Sequence, residues 1–253
     1  MGDISSYGVI FGVGILCGFI NILAGSGSLI SLPVLMGFGL SPHVANATNR
    51  IGILLQNMVG SASFFKQRVL PVKEGLILAI PASLGSIAGA LLAVDVGEAV
   101  IRWTIIGLLV FMFFVVIYSP DKWLRPRTDA PMRIRPRDYV IFAAVGFYGG
   151  FIQAGLGYFL LAGLVLSIGN DLITANSLKV FLAFILTIFA LVIFFYNGQV
   201  NLPFGISLGL GNMIGGWIGA RYAVKWGPKV LRLFLLGMLL FSVVYMVVQM
   251  VQQ

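Results

Sequence analysis

The stretch GILCGFINILAGSG, Gly14 to Gly27, decides the fold, because the chain writes it a second time. Residues 146–157 read GFYGGFIQAGLG. Gly14, Gly18, Phe19, Ile20 and Asn21 face Gly146, Gly150, Phe151, Ile152 and Gln153 at an offset of 132. After a two-residue gap the offset is 130, and Ala24, Gly25 and Gly27 face Ala154, Gly155 and Gly157. The register then holds. Ala45-Asn46 faces Ala175-Asn176, Phe64-Phe65 faces Phe194-Phe195, and Gly97, Arg102 and Gly107 face Gly227, Arg232 and Gly237. Matches in constant register along a whole chain point to an internal duplication.

Apolar stretches run outward from these two segments. The first half offers 7–24, 28–40, 44–65, 75–94 and 100–118, and the second offers 139–154, 158–168, 175–196, 202–222 and 230–251. Residues 119–138 separate them, with six Lys or Arg side chains and Pro120, Pro126, Pro131 and Pro136. Four prolines leave no room for a long helix there. Apolar residues make up 59% of the chain, charged residues 9%, and the mean hydropathy is +1.03. Soluble domains carry about a quarter charged residues, so the solvent for this surface is lipid. The first apolar stretch lacks a basic leader and reads as a mature span.

Charge then sets orientation. Lys66, Arg68 and Lys73 follow the 44–65 span, which places that loop in the cytoplasm. The matching loop, 197–201, carries no charge. The next loop of the first half holds Asp95 and Glu98, while its counterpart holds Arg221, Lys225 and Lys229. The bias swaps at each matched pair, as inverted repeats require. A parallel duplication with unrelated loop charges is the alternative. The expected organisation is an all-α polytopic membrane protein of two inverted repeats, each a Gly-tipped helix hairpin followed by three spans. Residues 1–118 form the first repeat with the N-terminus outside, 119–138 a basic cytoplasmic linker, and 139–253 the second repeat with the C-terminus outside. The net charge of +8 is thereby explained by the positive-inside pattern, without nucleic acid as a partner.

The second arm of each hairpin is under about 15 residues, short for a full crossing. Each hairpin either tilts across or buries its tip inside the protein, where non-helical backbone survives only under protein or water. Such a tip, leading into a helix, presents unpaired N–H groups and a positive dipole end, which suits an anion. Gly25, Ser26, Gly27, Ser28, Gly155 and Gly157 are the candidate tip residues, against the plainer reading that these glycines only let helices pack. Gly85/Gly89 and Gly211/Gly215/Gly219 read as packing faces of the small-xxx-small kind.

Two cations lie within spans. Arg50 and Lys179 sit about two turns inside helices opened by Ser41-Pro42 and Asp171. Ionisable residues at membrane depth mark pathways, although long side chains also snorkel outward. All eight acids fall at termini, loops or helix ends, so neither cation has an obvious counter-ion. An unpaired buried charge is costly, and a substrate anion would complete the site. Asn21, Gln153, Asn46, Asn176, Thr48 and Asn49 add hydrogen-bonding groups, and a small oxyanion is the expected ligand. A membrane carboxylate, the usual group for proton or sodium coupling, is missing mid-span, so coupling runs through another group or the carrier is passive. One histidine, His43, and one cysteine, Cys17, cannot build a metal cluster, and no cofactor is expected.

The run Gly18 to Pro33, with the tip Gly25-Ser26-Gly27-Ser28, followed by Ser41-Pro42-His43-Val44-Ala45-Asn46-Ala47-Thr48-Asn49, resembles the TauE/SafE sulfite exporter family. The likeness covers essentially the whole chain and is looser in the second half. The tip has less glycine than the family often shows, and Arg50 follows the Thr-Asn pair, departures that bear on substrate choice. The resemblance implies two related halves and the movement of sulfite or organosulfonates such as sulfoacetate across the cytoplasmic membrane. A passive anion channel and a non-transporting membrane scaffold are the competing readings. An intramembrane enzyme is disfavoured, since no Ser/His pair, His-Glu-x-x-His motif or paired acids occur within the spans. Partners beyond the lipid bilayer and the anion, and the oligomeric state, are not legible.

Overall fold

The computed structural model describes residues 4–25, 27–97, 99–101, 104, 134–169 and 171–251, with 227–251 described as backbone. Most of the expected span 100–118, Ser26, and the linker residues Lys122, Arg125, Arg127 and Arg133 lie outside the described residues. All regular structure among the described residues is helical. In chain order the helices are α1 (Ile4–Ala24), α2 (Ser28–Gly37), α3 (Pro42–Lys66), α4 (Val72–Asp95), α5 (Pro136–Phe151), α6 (Leu156–Ala162, continued by a π-helical turn, Gly163–Ile168), α7 (Leu172–Tyr196) and α8 (Leu202–Val251).

Local chemistry sets the starts. The Ser41 hydroxyl accepts from the Val44 amide at 3.5 Å, with Pro42 opening α3. The Asp171 carboxylate accepts from the Ile173 and Thr174 amides, both at 3.0 Å, at the start of α7. These are ordinary N-caps. Two boundaries differ from expectation. Helix α5 begins at Pro136 rather than 139, because the Asp138 carboxylate accepts from the Arg135 amide at 2.7 Å and from the Ser167 hydroxyl. Asp138 is therefore buried at a helix start rather than solvated in a linker. Helix α8 runs unbroken through 223–229, where a basic loop between two spans was expected. Gly227 and Pro228 do not stop it, as membrane helices tolerate proline when freed backbone groups find other partners.

Outer faces are apolar. Leu76, Ile80, Leu84 and Leu91 on α4 are 50–66% exposed, and Ile206, Leu210 and Ile214 repeat the pattern at every fourth residue on α8. A water-facing surface would not carry such stripes. Helices α1, α4 and α7 are each long and apolar enough to cross a bilayer. Helix α3 matches them in length but not in apolarity. It carries Asn46, Asn49, Arg50, Gln56 and Asn57, all buried, so its polar face points inward.

The two halves of the chain interlock through glycines. A methyl group built on Gly211 would lie 2.9 Å from the Ile15 amide nitrogen, and one on Gly215 would lie 2.7 Å from that of Phe19. Helices α1 and α8 thus cross at backbone distance and run in the same direction. Gly85 and Gly89 meet the amide nitrogens of Phe147 and Phe151 at 2.7 and 2.9 Å in the same sense, so α4 and α5 are also parallel. The first helix of either half lies on the fourth helix of the other. Small residues permit this approach, and dispersion between the close backbones holds it. Smaller contacts repeat the exchange. The Asn201 amide donates to the Thr48 hydroxyl at 2.9 Å, and the Ser177 hydroxyl donates to the Val69 carbonyl at 2.9 Å.

Candidate functional site

Helix α2 has ten residues, about 15 Å, half of a ~30 Å hydrocarbon core. The α1–α2 turn therefore ends inside the fold. Gly25 is buried and takes the left-handed backbone, φ +79°, as does Gly155 in the α5–α6 turn, φ +70°. A methyl group on Gly25 would lie 2.6 Å from the Gly157 α-carbon. The two hairpins meet tip to tip, and only residues without a side chain allow that distance.

Each tip joins the C-terminal end of one helix to the N-terminal end of the next. The C-terminal ends carry unpaired carbonyls and the negative end of the helix dipole. Each is met by one cation from the other half. The Arg50 guanidinium of α3, fully buried, donates to the carbonyls of Gly149 at 2.9 Å, Gly150 at 2.7 Å and Phe151 at 3.5 Å. It also lies 4.5 Å from the Phe194 ring centroid. Asn46, one turn earlier, donates to the same Phe151 carbonyl at 3.1 Å. In the other half, the Lys179 ammonium of α7 donates to the carbonyls of Ile22 at 2.8 Å and Asn21 at 3.3 Å. The missing counter-ions are thus helix ends rather than carboxylates. Main-chain carbonyls carry no residue-type signature, so the sequence could not reveal them.

A cavity of about 20 Å³ sits between the tips, with Asn21, Gly25, Ile53, Asn57, Gln153, Leu156, Gly157, Lys179 and Ala183 around it. Among the described residues, Lys179 is the only charged group in that lining. Gln153 donates to the Thr187 hydroxyl at 2.5 Å, leaving its own carbonyl oxygen without a partner among the described residues. Both polar atoms of the Asn176 side chain are also buried and unpartnered among the described residues, whereas Asn46 leaves only its oxygen so.

Of the expected site residues, the structure brings together Asn21, Gly25, Gln153, Gly157 and Lys179. Gly155 shapes the turn beside them. Arg50 and Asn46 are held away at the end of α5. Asn49 accepts from Ser31 at 2.6 Å and donates to Ser28 at 3.1 Å, tying α2 to α3. Gly27 caps α2 close to α1, where a methyl group would meet the Asn21 β-carbon at 2.8 Å. Thr48 holds the loop before α8, and Asn176 stands outside the cavity lining. Sequence reasoning missed Asn57 and Thr187. The signal was present: Asn46, Arg50, Ile53 and Asn57 form one helical stripe, as do Asn176, Lys179, Ala183 and Thr187.

Apolar outer faces, a polar inner stripe and two short hairpins meeting at a cationic centre define a polytopic membrane protein of the transporter class. The Sulfite exporter TauE/SafE family model matches residues 10–246, and the chain belongs to that family. It is similar to the probable membrane transporter protein ORF9 of Sinorhizobium sp, 28% identical over 88% of this chain and 85% of that protein. It is also similar to the probable membrane transporter protein YfcA of Escherichia coli K12, 29% identical over 89% of this chain and 83% of that protein. A Bacillus subtilis relative, the probable membrane transporter protein YdhB, is 23% identical over 85% of this chain and 87% of its own length. No solved structure matches.

Proposed function

We propose that the chain moves a small sulfur-containing oxyanion, sulfite or an organosulfonate, across the cytoplasmic membrane by alternating access. One observation carries the reading: Lys179, buried and with only carbonyl partners among the described residues, lines a cavity between the two glycine tips. An ammonium, glutamine and asparagine amides, and glycine backbone suit an oxyanion, which accepts hydrogen bonds on every oxygen. The family to which the chain belongs is named for sulfite export.

Gly25 and Gly157 meet at backbone distance beside Lys179, so passage of an anion between the tips requires them to part, as a carrier does and an open pore does not. The parallel run of α1 with α8 and of α4 with α5 supports an inverted repeat. Within one half the first and fourth helices run in opposite directions, so a parallel duplication would make both crossings antiparallel.

The test is sulfite uptake into proteoliposomes. Saturable flux in the wild type, lost in Lys179→Ala, is expected. Flux unchanged in Lys179→Ala removes the site, and large single-channel currents would replace the carrier with a pore.

A further inference from the structure

We propose that Lys179 takes up one proton with each anion bound, so that the anion is carried together with H⁺. The inference rests on the anion-site reading above and names its coupling ion.

The donor count points there. The Lys179 nitrogen already serves two carbonyls, those of Asn21 and Ile22. A neutral amine has two N–H groups, enough for both, and turns its lone pair to the cavity. An ammonium has a third N–H, directed where the lone pair was. The anion needs that third donor and the charge. An empty site needs neither, and a full buried charge set only against the partial charge of a helix end is costly. Anion and proton therefore stabilise each other in the same place. On loading, an N–H bond forms between the lone pair and a proton from the water on the side to which the tips have opened. On release the bond breaks and the proton leaves with the anion on the other side. No further reactant is required.

The surroundings leave Lys179 as the group that can do this. Among the described residues, no other titratable side chain lines the cavity. On the helices packed against α7, Cys17 of α1 is buried away from the lining. Arg50 of α3 is bound to the end of α5, Tyr148 of α5 donates to the Ala154 carbonyl, and Tyr158 of α6 stands outside the lining. Lys73, Glu74 and Asp95 sit at the two ends of α4, and Arg221 and Lys225 lie along α8 beyond the cavity. Arg50 cannot substitute, because a guanidinium stays protonated.

The decisive probe is sulfoacetate, ionised throughout pH 6–8, so that any proton that moves does so on the protein. Wild-type protein in weakly buffered detergent is titrated with sulfoacetate while pH is followed with an indicator. Uptake approaching one proton per anion is expected at the alkaline end, with affinity falling up to about tenfold per pH unit. In proteoliposomes an inward proton gradient should drive sulfoacetate uptake. Lys179→Arg, which keeps the charge, should bind without proton uptake and without pH dependence. Saturable wild-type binding with no proton uptake overturns the coupling and leaves the anion site standing. No saturable binding at any pH overturns both.

Discussion

The end of α5 and the end of α1 are two versions of one arrangement. In each, a broken helix points its carbonyls into the membrane, and a cation from the opposite half closes them off. At α5 the closure is fuller: Arg50 reaches three carbonyls through its two terminal nitrogens, Asn46 adds a fourth hydrogen bond, and the Phe194 ring covers the guanidinium, with Arg50 Nε and Asn46 Oδ1 left over among the described residues. At α1 it is spare: Lys179 reaches two carbonyls, Asn176 contributes nothing, and the ammonium borders the cavity. A guanidinium with fixed forks is suited to a permanent clamp, whereas a lysine on a flexible stem is suited to gaining and losing partners. On the proposed function, the difference separates a structural cation from a working one, although the two stand within one residue of matching places along their helices.

That division can be broken in several ways. The largest expected effect is on transport. Lys179→Ala should lower sulfite flux more than about tenfold, since one lost charge-assisted contact in a dry site is worth about 1.5–3 kcal/mol. If Lys179→Ala transports normally while Arg50→Ala remains folded and inactive, the roles are reversed. Next is stability. Arg50→Ala strands the carbonyls of Gly149 and Gly150, leaving Phe151 with Asn46 alone, and should cost about 1–3 kcal/mol for each stranded carbonyl, read as a lower unfolding midpoint in detergent. Arg50→Lys should recover part of this but not the forked contact.

The tips come third. Gly157→Ala places a methyl group against the Gly25 backbone and should lower the melting temperature measurably, by about 1–3 kcal/mol of overpacking. Gly155→Ala meets only ordinary contact with the Tyr158 ring at 3.9 Å and should cost only the left-handed backbone term of about 1 kcal/mol. Equal losses at the two positions would mean that the tips do not touch. The smallest effect sharpens the contrast between the asparagines. Asn46→Ala should cost about 1 kcal/mol for one hydrogen bond, and Asn176→Ala close to nothing in the unfolding midpoint. A larger loss at Asn176 would show that it is engaged in the folded protein.

Much of the fold was legible because lipid imposes simple rules. Composition demanded membrane helices, the repeated glycines located the hairpins, and small-residue spacing marked the faces that pack. Boundaries were legible where a cap had a side-chain signature, as at Ser41 and Asp171. They were not at Asp138, whose partners are the Arg135 amide and a serine 29 residues on, nor at Pro228, which lies inside α8. Within the site, Lys179, Asn21 and Gln153 could be read from polar residues at membrane depth. Asn57 and Thr187 could have been read from their helical stripes.

The sequence by itself determined the solvent, the helices, the glycine tips and the presence of two buried cations. Each of these follows from residue type and spacing. Only the tertiary structure decided what the cations do. Their partners are main-chain carbonyls about 100 and 158 residues away along the chain, and every residue carries such a carbonyl. Which ones lose their helical partners, and which cation reaches them, depends on where helices break and how the halves interlock.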